Sequence, residues 1–243
     1  MKTVAIVQAR MGSSRLPGKV MKKLQDKTVL GQVITRLKAV GQIDEIVIAT
    51  TSNSEDDVIV TEAEQYNVSY FRGSEENVLS RYYLAASALS ADVIVRITSD
   101  CPLIDPVITG NTIDLFNRSN VDYASNKMIT TFPRGLDTEV FTFNALKKSY
   151  EGAYNEIHRE HVTPYIYLHP DQFKVADYTW HIDYSKYRWT LDTVEDYQLI
   201  SRIYYDLYSP GSIFSWLEAI ELVKRKPELC LINQHIEQKK LGE

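Results

Sequence analysis

The sequence predicts an α/β protein with an open, mostly parallel central sheet and helices on both faces. Short runs of β-branched residues alternate with amphipathic stretches of helical spacing along the first hundred residues. The chain has 243 residues, 44% of them hydrophobic, which is enough for one substantial core. It contains no repeat, low-complexity tract or long Gly/Ser linker. We therefore predict a single domain over residues 1–243.

The first half reads as successive strand and helix units. Residues 4–7 are a β-branched run that ends in a polar loop, and apolar residues at helical spacing follow over 29–40. Residues 45–50 read as a buried strand, and acidic residues at 54–57 suit the first turn of a helix because the helix dipole favours negative charge there. This half continues with a strand at 68–71, a helix at 77–89 and a strand at 92–97.

The second half mixes shorter elements. A Pro-Gly pair at 210–211 marks a turn between two helices. The predicted strands are 121–125, 138–143, 173–178 and 188–191, and the predicted helices are 157–169, 194–208 and 213–226.

Composition limits the classes of partner. A net charge of −5 gives no basic footprint for nucleic acid or an anionic membrane, so an anionic ligand requires a local cluster of cations. The first apolar run meets Arg10 too early for a signal peptide, and no run reaches the roughly 18 apolar residues of a spanning helix. Cys101 and Cys230 match neither a disulfide framework nor a zinc site. We expect a cytoplasmic protein with two free thiols.

Residues 8–19 form the most informative segment, a loop directly behind the first predicted strand. The loop combines three cations with two glycines and two serines, which suits a phosphate cradle because glycine lets the backbone approach closely. It is not a Walker A loop, since Gly12 lies six residues before Gly18 and Val20 follows Lys19. The Gly-x-Gly-x-x-Gly of dinucleotide folds is also absent. The alternative is a solvated basic surface loop.

The stretch 9–19, Ala-Arg-Met-Gly-Ser-Ser-Arg-Leu-Pro-Gly-Lys, resembles the signature loop of the sugar-acid cytidylyltransferases. That family includes CMP-Kdo and CMP-sialate synthetases, and the chain resembles its SpsF-type spore-coat polysaccharide branch over nearly its full length. The resemblance implies a Rossmann-like GT-A nucleotidyltransferase fold, with nucleotide bound by about residues 1–105 and the acceptor and a second subunit by about 106–243. It assigns the nucleotide to Ala9, Arg10, Gly12, Ser13, Ser14, Arg15 and Lys19.

Two aspartates stand where the same family binds metal. Asp100 follows a predicted buried strand and precedes a proline turn, and Mg²⁺ needs few protein carboxylates because phosphate and water complete its shell. Asp192 lies in a segment similar to the family's Val-Asp-Thr-Pro-Glu-Asp-Leu, with Val194 in place of the proline. The resemblance implies that both aspartates bind Mg²⁺. From the residues alone, Asp100 could be a turn or cap aspartate, and Asp192 or Thr193 a helix N-cap.

Three further segments resemble the SpsF-type branch. In 72–81, Arg72 or Ser74 could read the base, although a helix start with a capping role fits equally, and Asn77 replaces a common aspartate. Segments 132–140 and 158–165 should face the acceptor, unless the latter is an ordinary salt-bridged helix. The acceptor-binding candidates in these two segments are Arg134, Asp137, Glu139, His158, Arg159 and His161.

The resemblance implies an Mg²⁺-dependent enzyme that transfers CMP from CTP to a sugar or sugar acid for surface polysaccharide synthesis. Arg15, Lys19 and Asp100 are the expected catalytic residues. The choice of CTP over another triphosphate rests on the resemblance, and the acceptor stays open. A homodimer is expected, with aromatics of 123–132 as a candidate contact. The rivals are a GT-A glycosyltransferase, whose usual Asp-x-Asp is missing around Asp100, and a non-catalytic nucleotide-binding protein.

Overall fold

A computed structural model describes residues 1–237. Within that range the strands are β1 Thr3–Gln8, β2 Lys23–Leu24, β3 Lys27–Thr28, β4 Glu45–Thr51, β5 Ser69–Gly73, β6 Val93–Thr98, β7 Tyr123–Ser125, β8 Glu139–Thr142 and β9 Val175–Asp177. The α-helices are α1 Val29–Leu37, α2 Asp57–Gln65, α3 Val78–Ala88, α4 Pro106–Ser119, α5 Phe143–Gly152, α6 Glu156–His161, α7 Pro164–Tyr167, α8 Val194–Leu207 and α9 Trp216–Arg225. Short 3₁₀ turns lie at Lys19–Met21, Ser54–Asp56 and Pro227–Ile232.

The central sheet has seven strands in the order β5-β4-β1-β6-β8-β7-β9. β1 pairs in parallel with β4 and β6, whereas β8 runs antiparallel to β6 and β7. β9 is parallel to β7. The carboxyl ends of six strands and the amino end of β8 therefore share one edge, which we call the carboxyl edge. In open α/β sheets, ligands bind beyond this edge.

Both faces of the sheet are buried, as expected for parallel strands covered by helices. Along β1, Val4 and Ile6 pack on the side of α3 and α5, while Ala5 and Val7 pack towards α1. Burying each valine or isoleucine side chain among these contributes about 1.5–3 kcal/mol. A further cluster around the buried Trp189 joins α8 and α9 to the rest. The predicted α/β architecture is confirmed.

Three predicted elements differ from the structure. The predicted helix 157–169 is broken into α6 and α7 at Val162, whose φ of 70° ends α6 before Pro164 starts α7. Residues 188–191 form no strand, because Arg188 makes only an isolated bridge to Arg134. The helix predicted at 213–226 begins at Trp216, since Ser215 caps it in a capping box with Glu218.

Helix α4 was missed by the sequence reasoning. Its start carries the expected signals, because Asp105 accepts hydrogen bonds from the Val107 and Ile108 amides and Pro106 occupies the first turn. Its interior is weakly amphipathic, with Thr109, Gly110 and Thr112 among its buried residues. Helix α5 was not predicted either, although it is amphipathic and buries Ala145, Leu146 and Ser149.

The aromatics proposed for a dimer contact are not exposed. Tyr123 is 0% and Phe132 5% exposed, both inside hydrophobic clusters. The expectation of exposed aromatics in 123–132 is therefore wrong, and Met128 and Ile129 are the exposed apolar residues there. Both cysteines are free thiols. Within residues 1–237, no helix is both long and apolar enough to cross a membrane.

Candidate active site

Lys19 lies between two aspartates at the carboxyl edge. Its Nζ donates to Asp100 Oδ2 at 2.8 Å and to Asp192 Oδ1 at 2.6 Å. Asp100 lies just beyond β6, Asp192 just before α8, and Lys19 starts the short turn after the 8–19 loop. The fold thus brings together three of the residues singled out in the sequence.

Local hydrogen bonds hold the two aspartates side by side. The Leu191 amide donates to the Asp100 carbonyl at 2.7 Å, which joins the two segments through their backbones. Thr193 is the N-cap of α8 and forms a capping box with Asp196. Asp196 also accepts from the Asp192 amide at 3.0 Å. Because Thr193 caps the helix, the carboxylate of Asp192 stays available for the site.

Two arginines complete the ion-paired cluster. Arg15 reaches Asp192 Oδ2 at 3.0 Å with a side chain that is 32% exposed. Arg188 reaches the same oxygen at 3.2 Å and Asp196 Oδ2 at 2.9 Å. Arg188 was not among the predicted site residues. The sequence predicts a strand over residues 188–191, and nothing in that pattern indicates that Arg188 pairs with Asp192 and Asp196.

The ion pairs set the charges of the site. Burial alone would raise the pKa of the Asp100 carboxyl, but the charge and hydrogen bond of Lys19 outweigh burial and hold that pKa well below its usual range. Burial acts to lower the pKa of Lys19, but Asp100 and Asp192 raise it above its usual value. Both groups are therefore charged at neutral pH.

Cys101 does not have the character of a nucleophile. Burial, followed by the charges of Asp100 and Asp137, raises the pKa of the Cys101 thiol well above its usual value. A thiol that stays protonated is a poor nucleophile. Asp137, a predicted acceptor-binding residue, is half-buried and accepts from the Gly135 amide at 3.3 Å.

The 8–19 loop is fastened at both ends. Asp56, fully buried, accepts from the Met11 amide at 2.7 Å. The Gly18 amide donates to the Met11 carbonyl at 3.1 Å, and Gly18 adopts a φ of 64°, a left-handed conformation that glycine takes without strain. Arg10 pairs with Glu75 at 2.9 Å. Asp56 looked from the sequence like a first-turn charge, so its role in shaping the loop was missed.

The small residues of the loop differ in their access. Ala9 is 3% exposed and its amide donates to the Ala49 carbonyl at 3.1 Å, so its side chain faces the core. A Cβ on Gly12 would lie 3.4 Å from a carboxylate oxygen of each of two glutamates. Ser13 is half-buried and Ser14 exposed. Of these four predicted contacts, the two serines have solvent-accessible side chains.

Arg72 and Ser74 make structural contacts. The Arg72 guanidinium donates to the carbonyls of Thr51 at 2.8 Å and Asn53 at 2.7 Å, and it also pairs with Asp57. Ser74 Oγ accepts from the amide of Asn77, the residue that caps α3. These contacts favour the capping interpretation of 72–81 over direct reading of the base.

Glu139 differs most from its predicted role. It is 1% exposed and accepts from Tyr123 at 2.8 Å and from Thr163 at 2.5 Å. It also forms ion pairs with Arg96 and Lys127. Direct contact with an acceptor is therefore excluded by burial, and Glu139 instead anchors a charged network under the carboxyl edge.

The other acceptor candidates lie at or near the surface. Arg134 is exposed, while its backbone pairs with Tyr187 and Trp189. On α6, Arg159 is exposed and the two histidines are half-buried. Burial lowers the pKa of His158 and of His161, so both are neutral at pH 7. His158 packs edge-on against an aromatic ring of α7.

The donor set fits a shared divalent cation. Asp100 and Asp192 each place an oxygen within 2.8 Å of one ammonium, so the two carboxylates can approach a common positive charge. Among residues 1–237, no group of three or more His, Cys, Asp or Glu forms a complete metal site. Mg²⁺ is commonly bound by one or two carboxylates, with phosphate and water completing its octahedron.

Comparison with known proteins places the chain in a family. A family model described as cytidylyltransferase matches residues 4–236. The spore coat polysaccharide biosynthesis protein SpsF of Bacillus subtilis is 34% identical over 92% of this chain and 94% of its own. A 3-deoxy-manno-octulosonate cytidylyltransferase of Geobacter metallireducens is 32% identical over 46% of this chain and 44% of its own.

A solved structure agrees with these matches. The structure of a cytidylyltransferase from Leptospira borgpetersenii superposes with a TM-score of 0.90 at 37% identity. The superposition covers 99% of this chain and 100% of that one. The family predicted from the 9–19 loop is thereby confirmed.

Proposed function

The chain belongs to the cytidylyltransferase family, and from that premise we propose that it transfers CMP from CTP to a sugar acid with Mg²⁺ as cofactor. The observation that carries this proposal is Lys19 held between Asp100 and Asp192 at the carboxyl edge. The loop that supplies Lys19 also supplies Arg10 and Arg15. Cations and metal-binding carboxylates thus converge where a triphosphate would bind.

The reaction proposed is a single in-line displacement. A hydroxyl oxygen of the acceptor bonds to the α-phosphorus of CTP, the bond to the bridging oxygen breaks, and pyrophosphate leaves while the hydroxyl proton passes to solvent. Mg²⁺ held by Asp100 and Asp192 would neutralise and align the reacting phosphates. Arg15 and Lys19 offset the charge that builds on pyrophosphate. The protonated Cys101 takes no part.

The acceptor class rests on the named relatives. One acts in polysaccharide biosynthesis and another is a cytidylyltransferase for 3-deoxy-manno-octulosonate. Taken together, the first name supports a polysaccharide as the destination and the second supports a sugar acid as the acceptor. A nucleotide-sugar glycosyltransferase is disfavoured because Thr98 and Pro102, the residues two positions before and after Asp100, supply no second carboxylate for an Asp-x-Asp motif.

The direct test is pyrophosphate release from CTP, UTP, GTP and ATP with Mg²⁺ and a panel of sugar acids. We expect release from CTP alone, dependent on the acceptor. Asp100→Asn should lower the turnover number by about 10²–10³-fold, the usual cost of removing one group that stabilises the transition state. Asp114→Asn, on the exposed side of α4, is the matched control. Full turnover by Asp100→Asn at saturating Mg²⁺ would refute the mechanism.

A further inference from the structure

Resting on the proposed function, we propose that Lys127 binds the carboxylate of the acceptor and so selects a sugar acid over a neutral sugar. Lys127 follows β7, whose carboxyl end lies at the same edge as Asp100. In the sheet, β6 separates β1, which leads into the phosphate loop, from β8 and β7. Lys127 and the phosphate loop therefore follow strands on opposite sides of β6, the strand that leads to Asp100.

The ion pairs of Lys127 join two cations to a single carboxylate. Lys127 Nζ contacts Glu139 Oε1 at 3.0 Å, and the same carboxylate also neutralises Arg96. No other carboxylate among residues 1–237 pairs with either cation. One carboxylate thus serves two cations. An acceptor carboxylate would supply the missing negative charge.

Of the two cations, Lys127 is the one that a ligand can reach. Its side chain is 27% exposed, whereas that of Arg96 is 9% exposed. Its Nζ lies 5.7 Å from the centre of the Tyr167 ring, which shields one side of it from water. A half-buried ammonium forms stronger pairs than a solvated one. Arg134 and Arg159, the arginines predicted to bind the acceptor, are exposed.

The turn that carries Lys127 is fixed in place. Asp177, at the end of β9, accepts from the Met128 amide at 3.3 Å, the Ile129 amide at 2.5 Å and Ser125 Oγ at 2.7 Å. These bonds hold the backbone on both sides of Lys127. The ammonium is therefore presented in a defined position and needs little reordering to bind a ligand.

Replacing Lys127 should leave the fold intact. In Lys127→Met the Arg96–Glu139 pair remains, together with the hydrogen bonds of Glu139 to Tyr123 and Thr163, so no buried charge loses its last partner. Lys127→Arg keeps the charge. Lys147→Met, on the exposed surface of α5, removes a lysine of weak pairing and is the matched control.

The experiment compares steady-state constants and binding for these variants. With a sugar acid that supports pyrophosphate release, Lys127→Met should raise the acceptor KM about ten- to a hundredfold while the KM for CTP stays within about twofold. Lys127→Arg should have an acceptor KM close to that of the unmodified protein, and Lys147→Met should have the same acceptor KM as the unmodified protein. The methyl ester of the same acid should bind all four proteins equally weakly. An unchanged acceptor KM in Lys127→Met would overturn the proposal and leave the proposed function standing.

If no sugar acid is turned over, calorimetric titration tests the carboxylate site at Lys127 separately from CMP transfer. The titrant is 3-deoxy-manno-octulosonate, added in the presence of α,β-methylene CTP. Binding that is lost in Lys127→Met would support the carboxylate site and count against CMP transfer to these acids. Binding that does not depend on Lys127, or no binding to the unmodified protein, would overturn the carboxylate site.

Discussion

Lys19 holds Asp100 and Asp192 close together, and its proposed role in catalysis requires that arrangement. Without nucleotide, its ammonium keeps Asp100 and Asp192 from repelling each other, so the carboxylates stay close enough to share a cation. The paired cluster also includes Arg15 and Arg188 and is already close to charge balance. A triphosphate entering it adds excess negative charge. That excess is the electrostatic reason to expect a divalent cation with the nucleotide.

Glu139 should make stability depend on acid pH. Burial raises its pKa, but Lys127 and Arg96 outweigh burial and lower it from 4.5 to about 2. Because the folded value is the lower one, the stabilisation is fully present above about pH 4.5 and is lost as the pH falls towards 2. The lost free energy of unfolding amounts to about 3 kcal/mol.

Denaturant unfolding between pH 2 and pH 6 measures this contribution. Glu139→Gln should lose about 3–5 kcal/mol at pH 6, because the buried Arg96 and the half-buried Lys127 lose their anion. Its stability should also change less with pH than that of the unmodified protein. Glu151→Gln, on the surface of α5, is the control. Parallel pH profiles for Glu139→Gln and the unmodified protein would contradict the assigned pKa.

The sequence revealed the site residues that stand beside recognisable elements. Asp100 follows a strand, Asp192 precedes a helix, and Lys19 lies in a loop with a family signature. Asp56 and Lys127 gave no such sign. Their roles arise from contacts with Met11 and Glu139, which are distant in the chain and meet only after the sheet has formed.

At the scale of elements, the apolar strands of the parallel sheet were predicted, whereas helices α4 and α5 were not. Strands β1, β4 and β6 are rich in buried apolar residues on both faces, and the sequence predicted each of them. Residues 188–191 have the composition of a strand, but hydrogen bonds to Arg134 and Asp100 take up their backbone instead. Residues 188–191 thus make tertiary hydrogen bonds in place of a sheet pairing, and their local sequence pattern could not distinguish the two.

Gly135 allows residues 188–191 to pack closely against the backbone next to Arg134. Its φ is 104°, and a Cβ there would lie 2.5 Å from the backbone carbon of Trp189. Gly135→Ala should therefore lower the free energy of unfolding by about 1–3 kcal/mol. It should also weaken turnover, because residues 189–191 lead to Asp192. Gly41→Ala, where a Cβ meets nothing within 4 Å, is the control. Equal denaturant midpoints for the two variants would disprove the docking role.

At the scale of the whole molecule, the residues of the site come from segments that pack against different hydrophobic clusters. The phosphate loop extends from β1 in the central sheet, whereas Asp192 and Arg188 flank the cluster around Trp189 and α8. The sequence predicted the sheet and the separate segments. It did not predict how α8 and α9 pack against the rest of the molecule, because the apolar face of a helix does not specify which element will cover it. The geometry of the site depends on that packing.

A ligand that bridges these parts should stabilise the whole chain. At about 100 times its Kd, CTP with Mg²⁺ should add about 2.7 kcal/mol to the free energy of unfolding. For a chain of this size, that gain raises the Tm by about 5–10 °C. Scanning calorimetry with CTP should show this shift with Mg²⁺ present and a much smaller one with EDTA, because the uncompensated triphosphate then faces Asp100 and Asp192. UTP at the same concentration should give a smaller shift than CTP. A CTP shift that is the same with EDTA as with Mg²⁺ would show that nucleotide binding does not use the metal, and the two aspartates would then need another explanation.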